Sequence, residues 1–148
     1  MTLEAMLASV HLVAILALVT FMSSQAALCR IEWMNAAVVE RLVLLDAIYQ
    51  ATAVAVLASG LVRIFWGIKG ASWYATQPML HLKITLFAVM LLLSIAPTLA
   101  FRRWRRNLRA SGALPEATEV RKMRRLIMVQ SHLLPVVAVI AVFWARGW

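Results

Sequence analysis

One cysteine, Cys29, occurs among the 148 residues, which excludes an intrachain disulfide and any metal site built from cysteines alone. Charge is scarce as well: Asp, Glu, Lys and Arg make up 14% of the chain, where soluble domains carry about 25%. Acidic residues number six. The sequence contains no Gly-rich phosphate loop, HExxH pair, CxxC pair, C-x-x-C-H haem-attachment motif or nucleophile-elbow serine, so hydrolytic and nucleotide chemistry of the soluble type is not expected. The opening MTLEA carries an acid where a signal peptide carries a basic region, and the apolar run behind it is longer than a signal peptide's. The first apolar segment is therefore expected to stay in the mature protein.

Hydrophobic residues make up 64% of the chain, and the mean hydropathy is +0.84. Such a chain belongs in lipid. Fifteen Lys and Arg against six acids leave a net charge of +9. Because the basic residues flank membrane-length apolar runs, the charge reports topology and does not indicate a nucleic-acid partner. A helix needs about 20 apolar residues to cross about 30 Å of hydrocarbon. Four segments meet that requirement, at about 4–28, 42–65, 79–101 and 126–144, bounded by charge or by Gly67, Gly70 and Pro78. The fold class is all-α, an integral-membrane four-helix bundle forming a single domain over 1–148.

Arg30 and Arg41 lie between spans one and two, and nine basic residues between Arg102 and Arg125 lie between spans three and four. Arg63, Lys69, Lys83 and Arg146 fall on the opposite side. The positive-inside rule then places both basic connections in the cytoplasm and both termini outside, with a basic cytoplasmic loop over 102–125. Within it, Pro115, Glu116 and Glu119 mark the start of a helix that leads into span four. The Arg/Lys run is expected to rest on anionic headgroups, and membrane lipids are the first partner.

Ionisable groups at membrane depth are costly and so are the best functional candidates. His11 lies about 12 Å into span one at 1.5 Å per residue. A hydrogen-bonded packing imidazole and a ligand are the two readings of it. His81 and Lys83 stand about 200° apart around span three, so one of them must face away from the bundle. Lys83 has the alternative of snorkelling to the headgroups. Arg63 ends span two on the same side, so His11, Arg63 and Lys83 converge on one leaflet from three helices. Asp46, Tyr49, Gln50 and Ala53 form a polar, small-residue stripe suited to interhelical hydrogen bonds. His132, three residues before Pro135, either covers a carbonyl freed by the proline or serves as a second ligand or proton relay.

The sequence resembles an uncharacterised family of four-span bacterial inner-membrane proteins over essentially its whole length. The stretches that carry the resemblance are VHLVAILAL with His11, LDAIYQATAVAVLASGLVRIFWGIKG with Arg63 and Gly70, WYATQP leading to Lys83, APTLAFRRWRR and ALPEATEVRKMRRL. More distantly it is similar to HemJ-type protoporphyrinogen oxidases and CopD-like membrane domains. There the counterparts are His11, Lys83 within the LHLK of 80–83, and the ASGL of 58–61. The arginine-rich segment departs from the HemJ pattern. This resemblance implies a haem b held between helices.

The leading expectation is a haem b-binding membrane oxidoreductase or electron-transfer protein with a quinone acceptor and, in the HemJ-like version, a porphyrin substrate. His11 is the expected axial ligand, with His132 as a further metal-ligand candidate. Lys83 is a second ligand or a propionate or substrate contact, Arg63 pairs with a propionate, and His81 is a further cofactor contact. A homo-oligomer is expected. The rivals are a cofactor-free transporter or structural subunit, with Ala51, Ala53, Ala55, Ala58 and Gly60 as a packing surface, and a proton path through Asp46, His132 and His11.

Overall fold

A computed structural model of the chain describes residues 2–66 and 71–145. Gly67, Lys69, Gly70 and Arg146, used above as boundaries or in the charge count, lie outside the described residues, as does the side chain of Trp144. The elements are α1 (Thr2–Leu28), a 3₁₀ turn (Ile31–Trp33), α2 (Ala36–Trp66), the short α3 (Ala71–Ala75), α4 (Pro78–Ser111) and α5 (Ala117–Ala145). The four long helices are each long and apolar enough to cross a membrane, and no strand occurs among the described residues.

Local chemistry sets the helix ends. The chain turns extended at Arg30, and Asn35 then starts α2 by accepting the Val38 N–H on its side-chain oxygen at 3.0 Å. That satisfies one of the donors a helix start leaves orphaned. Pro78 opens α4, where its missing N–H costs nothing. Gly112 closes α4 with φ at +72° and donates its N–H to the Leu108 carbonyl at 2.8 Å, the left-handed position that glycine takes without strain.

The hydropathy boundary ends span three near Phe101 and expects a loop over 102–125. The structure instead continues α4 to Ser111, while the helix expected to start around Pro115 and lead into span four begins at Ala117, leaving only residues 112–116 between α4 and α5. Arginine is a good helix former, so leaving the apolar layer does not end the helix. The helix runs through Pro97 and stops at Gly112. Span two likewise starts at Ala36, ahead of the expected 42.

In the bundle α1 packs on α2, α2 on α4, α4 on α5 and α5 back on α1. Two stripes form the principal seam. Ala14, Leu18, Met22 and Gln25 are buried on α1, with Cys29 buried just beyond its end, and Val39, Leu42, Val43, Asp46, Tyr49, Ala53 and Val56 are buried on α2. Steps of three and four bring successive residues to the same side of a helix. The core is concentrated toward the basic end, where Phe101 and Trp104 of α4 meet at 5.3 Å between ring centroids and Val120, Met123 and Ile127 of α5 are buried. The outer surface is apolar, with Leu12, Leu16, Leu44, Val54, Leu92 and Val139 all exposed. A surface of that kind matches hydrocarbon, not water.

Candidate functional site

The α1 seam continues one turn from Ala14 to His11, and the α2 seam continues from Val56 to Gly60 and Arg63. His11 Nδ1 lies 2.8 Å from Ser59 Oγ. A methyl group on Gly60 would stand 3.3 Å from His11 Cε1; glycine here lets the imidazole seat against the backbone of α2. Arg63 and, from α4, Lys83 lie within electrostatic range of the ring, and all three side chains are half-buried. The structure therefore brings together the three residues expected to converge.

The hydrogen-bond network assigns the tautomer of His11. Ser59 has one hydroxyl proton, and its oxygen lies 2.6 Å from the Ala55 carbonyl and 3.2 Å from that of Val56, both acceptors only. That proton goes to its own helix, so Ser59 Oγ accepts from the ring and Nδ1 carries the hydrogen. A neutral imidazole with its proton on Nδ1 has its lone pair on Nε2.

The other two histidines stand differently. His81 is exposed, and its Nε2 donates to the Ala75 carbonyl at 2.8 Å, closing the end of α3. Lys83, two residues on, is the one of the pair turned inward. His132 is exposed on α5 with Nδ1 at 2.6 Å from the Met128 carbonyl, which also accepts from Ser131 Oγ at 2.8 Å. The carbonyl that Pro135 frees is that of Ser131, so His132 covers a different one, a turn earlier. Neither histidine has a described contact with His11. Among the described residues no group of three or more His, Cys, Asp or Glu is placed to hold a metal ion.

A second polar centre lies deeper and draws on all four long helices. Asp46 Oδ1 accepts from Thr98 Oγ1 at 3.0 Å and from Gln25 Nε2 at 3.4 Å. Gln50 Nε2 donates to Thr98 Oγ1 at 3.0 Å and to Ser94 Oγ at 3.2 Å, while Tyr49 donates to Gln130 Oε1 at 3.0 Å. Asp46, Gln25, Ser94 and Gln130 are each at most 4% exposed. The stripe expected on α2 thus has its partners in α1, α4 and α5. Gln25, Ser94 and Thr98 escape a search for ionisable groups. The spacing of Ala14, Leu18, Met22 and Gln25 was the available signal, since it puts the glutamine on the buried seam.

At the basic end, Arg109 forms a two-pronged ion pair with Glu40 at 2.8 and 3.0 Å, and Arg103 is bridged to Glu119. A cavity of about 450 Å³ is lined by Arg102, Arg105, Arg106, Arg109 and Ala110. Another, of about 370 Å³, lies between α1 and α2 beside Ser24 and Arg41. Neither is lined by His11. In the connection after α1, burial pushes the Cys29 thiol up to about 12, against a weaker opposing pull from Arg124.

Over residues 3–148 the chain matches the family described as "Predicted membrane protein (DUF2214)". It belongs to that family. No curated protein and no solved structure matches it.

Proposed function

We propose that this member of a family of membrane proteins is a haem b-binding electron-transfer protein or oxidoreductase of the bacterial inner membrane, with both termini outside and the arginine-rich end in the cytoplasm. The observation that carries the reading is the Ser59-directed tautomer of His11, which puts the lone pair on Nε2. A protein that uses histidine as a metal ligand commonly fixes the ring through its other nitrogen, and Ser59 does that here. The donor set fits the group: an imidazole for the iron, with Arg63 and Lys83 beside it for two propionates or, for Lys83, as the second ligand. When bound, haem b supplies a one-electron iron couple. The chain's own contribution is to hold the imidazole against Gly60 and to keep cationic groups where carboxylates must be neutralised. A quinone acceptor and a reduced porphyrin substrate follow from the HemJ-like resemblance, and assembly as a homo-oligomer belongs to the same proposal.

The test is the visible spectrum of detergent-purified protein from haem-replete cells. Wild type is expected to show a Soret band that His11→Ala abolishes and that Lys83→Ala or Arg63→Ala shifts or weakens. A colourless wild type, or an unchanged band in His11→Ala, refutes the assignment. The second reading is a cofactor-free packing role, favoured by the 3.3 Å seat of the ring on Gly60. It requires His11→Ala to lower stability with no spectral counterpart.

A further inference from the structure

The basic end of α4 has one face that the proposed redox reading does not use. Arg102, Arg105, Arg106 and Arg109 recur at steps of three, one and three, the spacing of a single helical face, and together they line the cavity of about 450 Å³. Like charges four residues apart on a helix repel, and this face holds two such pairs, Arg102 with Arg106 and Arg105 with Arg109. Glu40 is bonded to Arg109 and is also within electrostatic range of Arg105. Asp46, deep in the bundle, is within electrostatic range of Arg102. Among the described residues no carboxylate stands within ion-pair distance of Arg102, Arg105 or Arg106. Arg103, on another face of the same helix, is bridged to Glu119. The structure thus pairs Arg103 and Arg109 with carboxylates and leaves Arg102, Arg105 and Arg106 facing the cavity.

Depth indicates which anion this face would meet. The apolar run of α4 ends at Phe101, and Arg102, Arg105 and Arg106 lie within about 8 Å of it along the axis at 1.5 Å per residue. The headgroup layer is about 5–7 Å thick on each side of the hydrocarbon, so with α4 spanning a bilayer these residues come to the level of lipid phosphates. Guanidinium is planar and offers paired N–H groups to a phosphate, which a point charge does not. We propose that this face is a binding site for the phosphodiester headgroup of an anionic phospholipid, held in the cavity by Arg102, Arg105 and Arg106, with Arg109 kept at its rim by Glu40.

The experiment reconstitutes the full chain into nanodiscs of phosphatidylcholine with a minor fraction of phosphatidylglycerol. Lipid retained by the protein is then counted by native mass spectrometry. Wild type is expected to retain phosphatidylglycerol in preference to phosphatidylcholine. The Arg105→Gln/Arg106→Gln variant is expected to lose that preference roughly thirtyfold, from about 1 kcal/mol per basic residue at a membrane surface. Arg105→Lys/Arg106→Lys preserves charge and guards against misfolding; it is expected to bind several-fold more weakly than wild type. Arg121→Gln/Lys122→Gln, on an exposed part of α5, is the control for diffuse surface attraction and should lose clearly less of the preference than the Arg105/Arg106 variant. Equal retention in wild type and the Gln variant overturns the site, as does an equal loss in the control, which would mean diffuse attraction. Tight binding of pyrophosphate to detergent-solubilised protein with no lipid preference overturns it in favour of a soluble anion.

Discussion

Replacing Asp46 by leucine removes the acceptor at the centre of the deep polar layer and leaves the Thr98 hydroxyl and the Gln25 amide without their described partner. Interhelical hydrogen bonds within membranes average about 0.6 kcal/mol and reach about 1.7. Two lost together place the destabilisation at about 1–3 kcal/mol. Asp46→Asn keeps an oxygen acceptor of nearly the same shape, so Thr98 and Gln25 retain their partner and the cost should stay below about 1 kcal/mol. The assay is reversible unfolding in mixed micelles or bicelles, followed by tryptophan fluorescence. A double-mutant cycle with Thr98→Val isolates the coupling, which should be close to 1 kcal/mol in the Asp46→Leu background and smaller in Asp46→Asn. If Asp46→Asn destabilises as much as Asp46→Leu, the layer depends on the carboxylate itself and not on its acceptor geometry. A neutral Asp46→Leu would refute any structural role for these bonds.

Ser59→Ala removes the group that directs the tautomer of His11, and haem affinity is expected to fall by about 10-fold or more while the fold persists, as measured by hemin titration. Gly60→Leu brings a branched side chain onto His11 Cε1, where even a methyl would be at 3.3 Å; it should separate the ring from Ser59 and abolish the Soret band at unchanged helicity by circular dichroism. The Cys29 thiol, pushed up to about 12 and fully buried, should resist alkylation at pH 8–9 until the protein unfolds. Its raised value also means that the native state holds the proton more tightly than the unfolded chain. That contribution to stability is complete below the unfolded value near 8.5 and is lost as pH rises toward 12, a decline that Cys29→Ala should remove in chemical unfolding at pH 7 and pH 10.

Four membrane spans, the all-α bundle and the approach of His11, Arg63 and Lys83 were legible from the residues alone, because hydropathy and charge are sums along the chain that no packing arrangement alters. A run of about 20 apolar residues costs too much to leave in water in any fold, and ionisable groups within such runs stand out by type. Tertiary structure decided which uncharged polar residues matter. Gln25, Ser94 and Thr98 resemble any other polar residue in an apolar helix until rotation and register bring them to Asp46 and Gln50, and register depends on pairs of helices, not on single ones. The same holds for the histidines: Ser59 and Gly60 of α2 make His11 a seated, singly oriented ring, while Ala75 and Met128 occupy His81 and His132. The arginine segment folded as helix because charge marks where lipid ends and not where helical hydrogen bonding ends; α4 runs on through Pro97 and stops where Gly112 takes a positive φ.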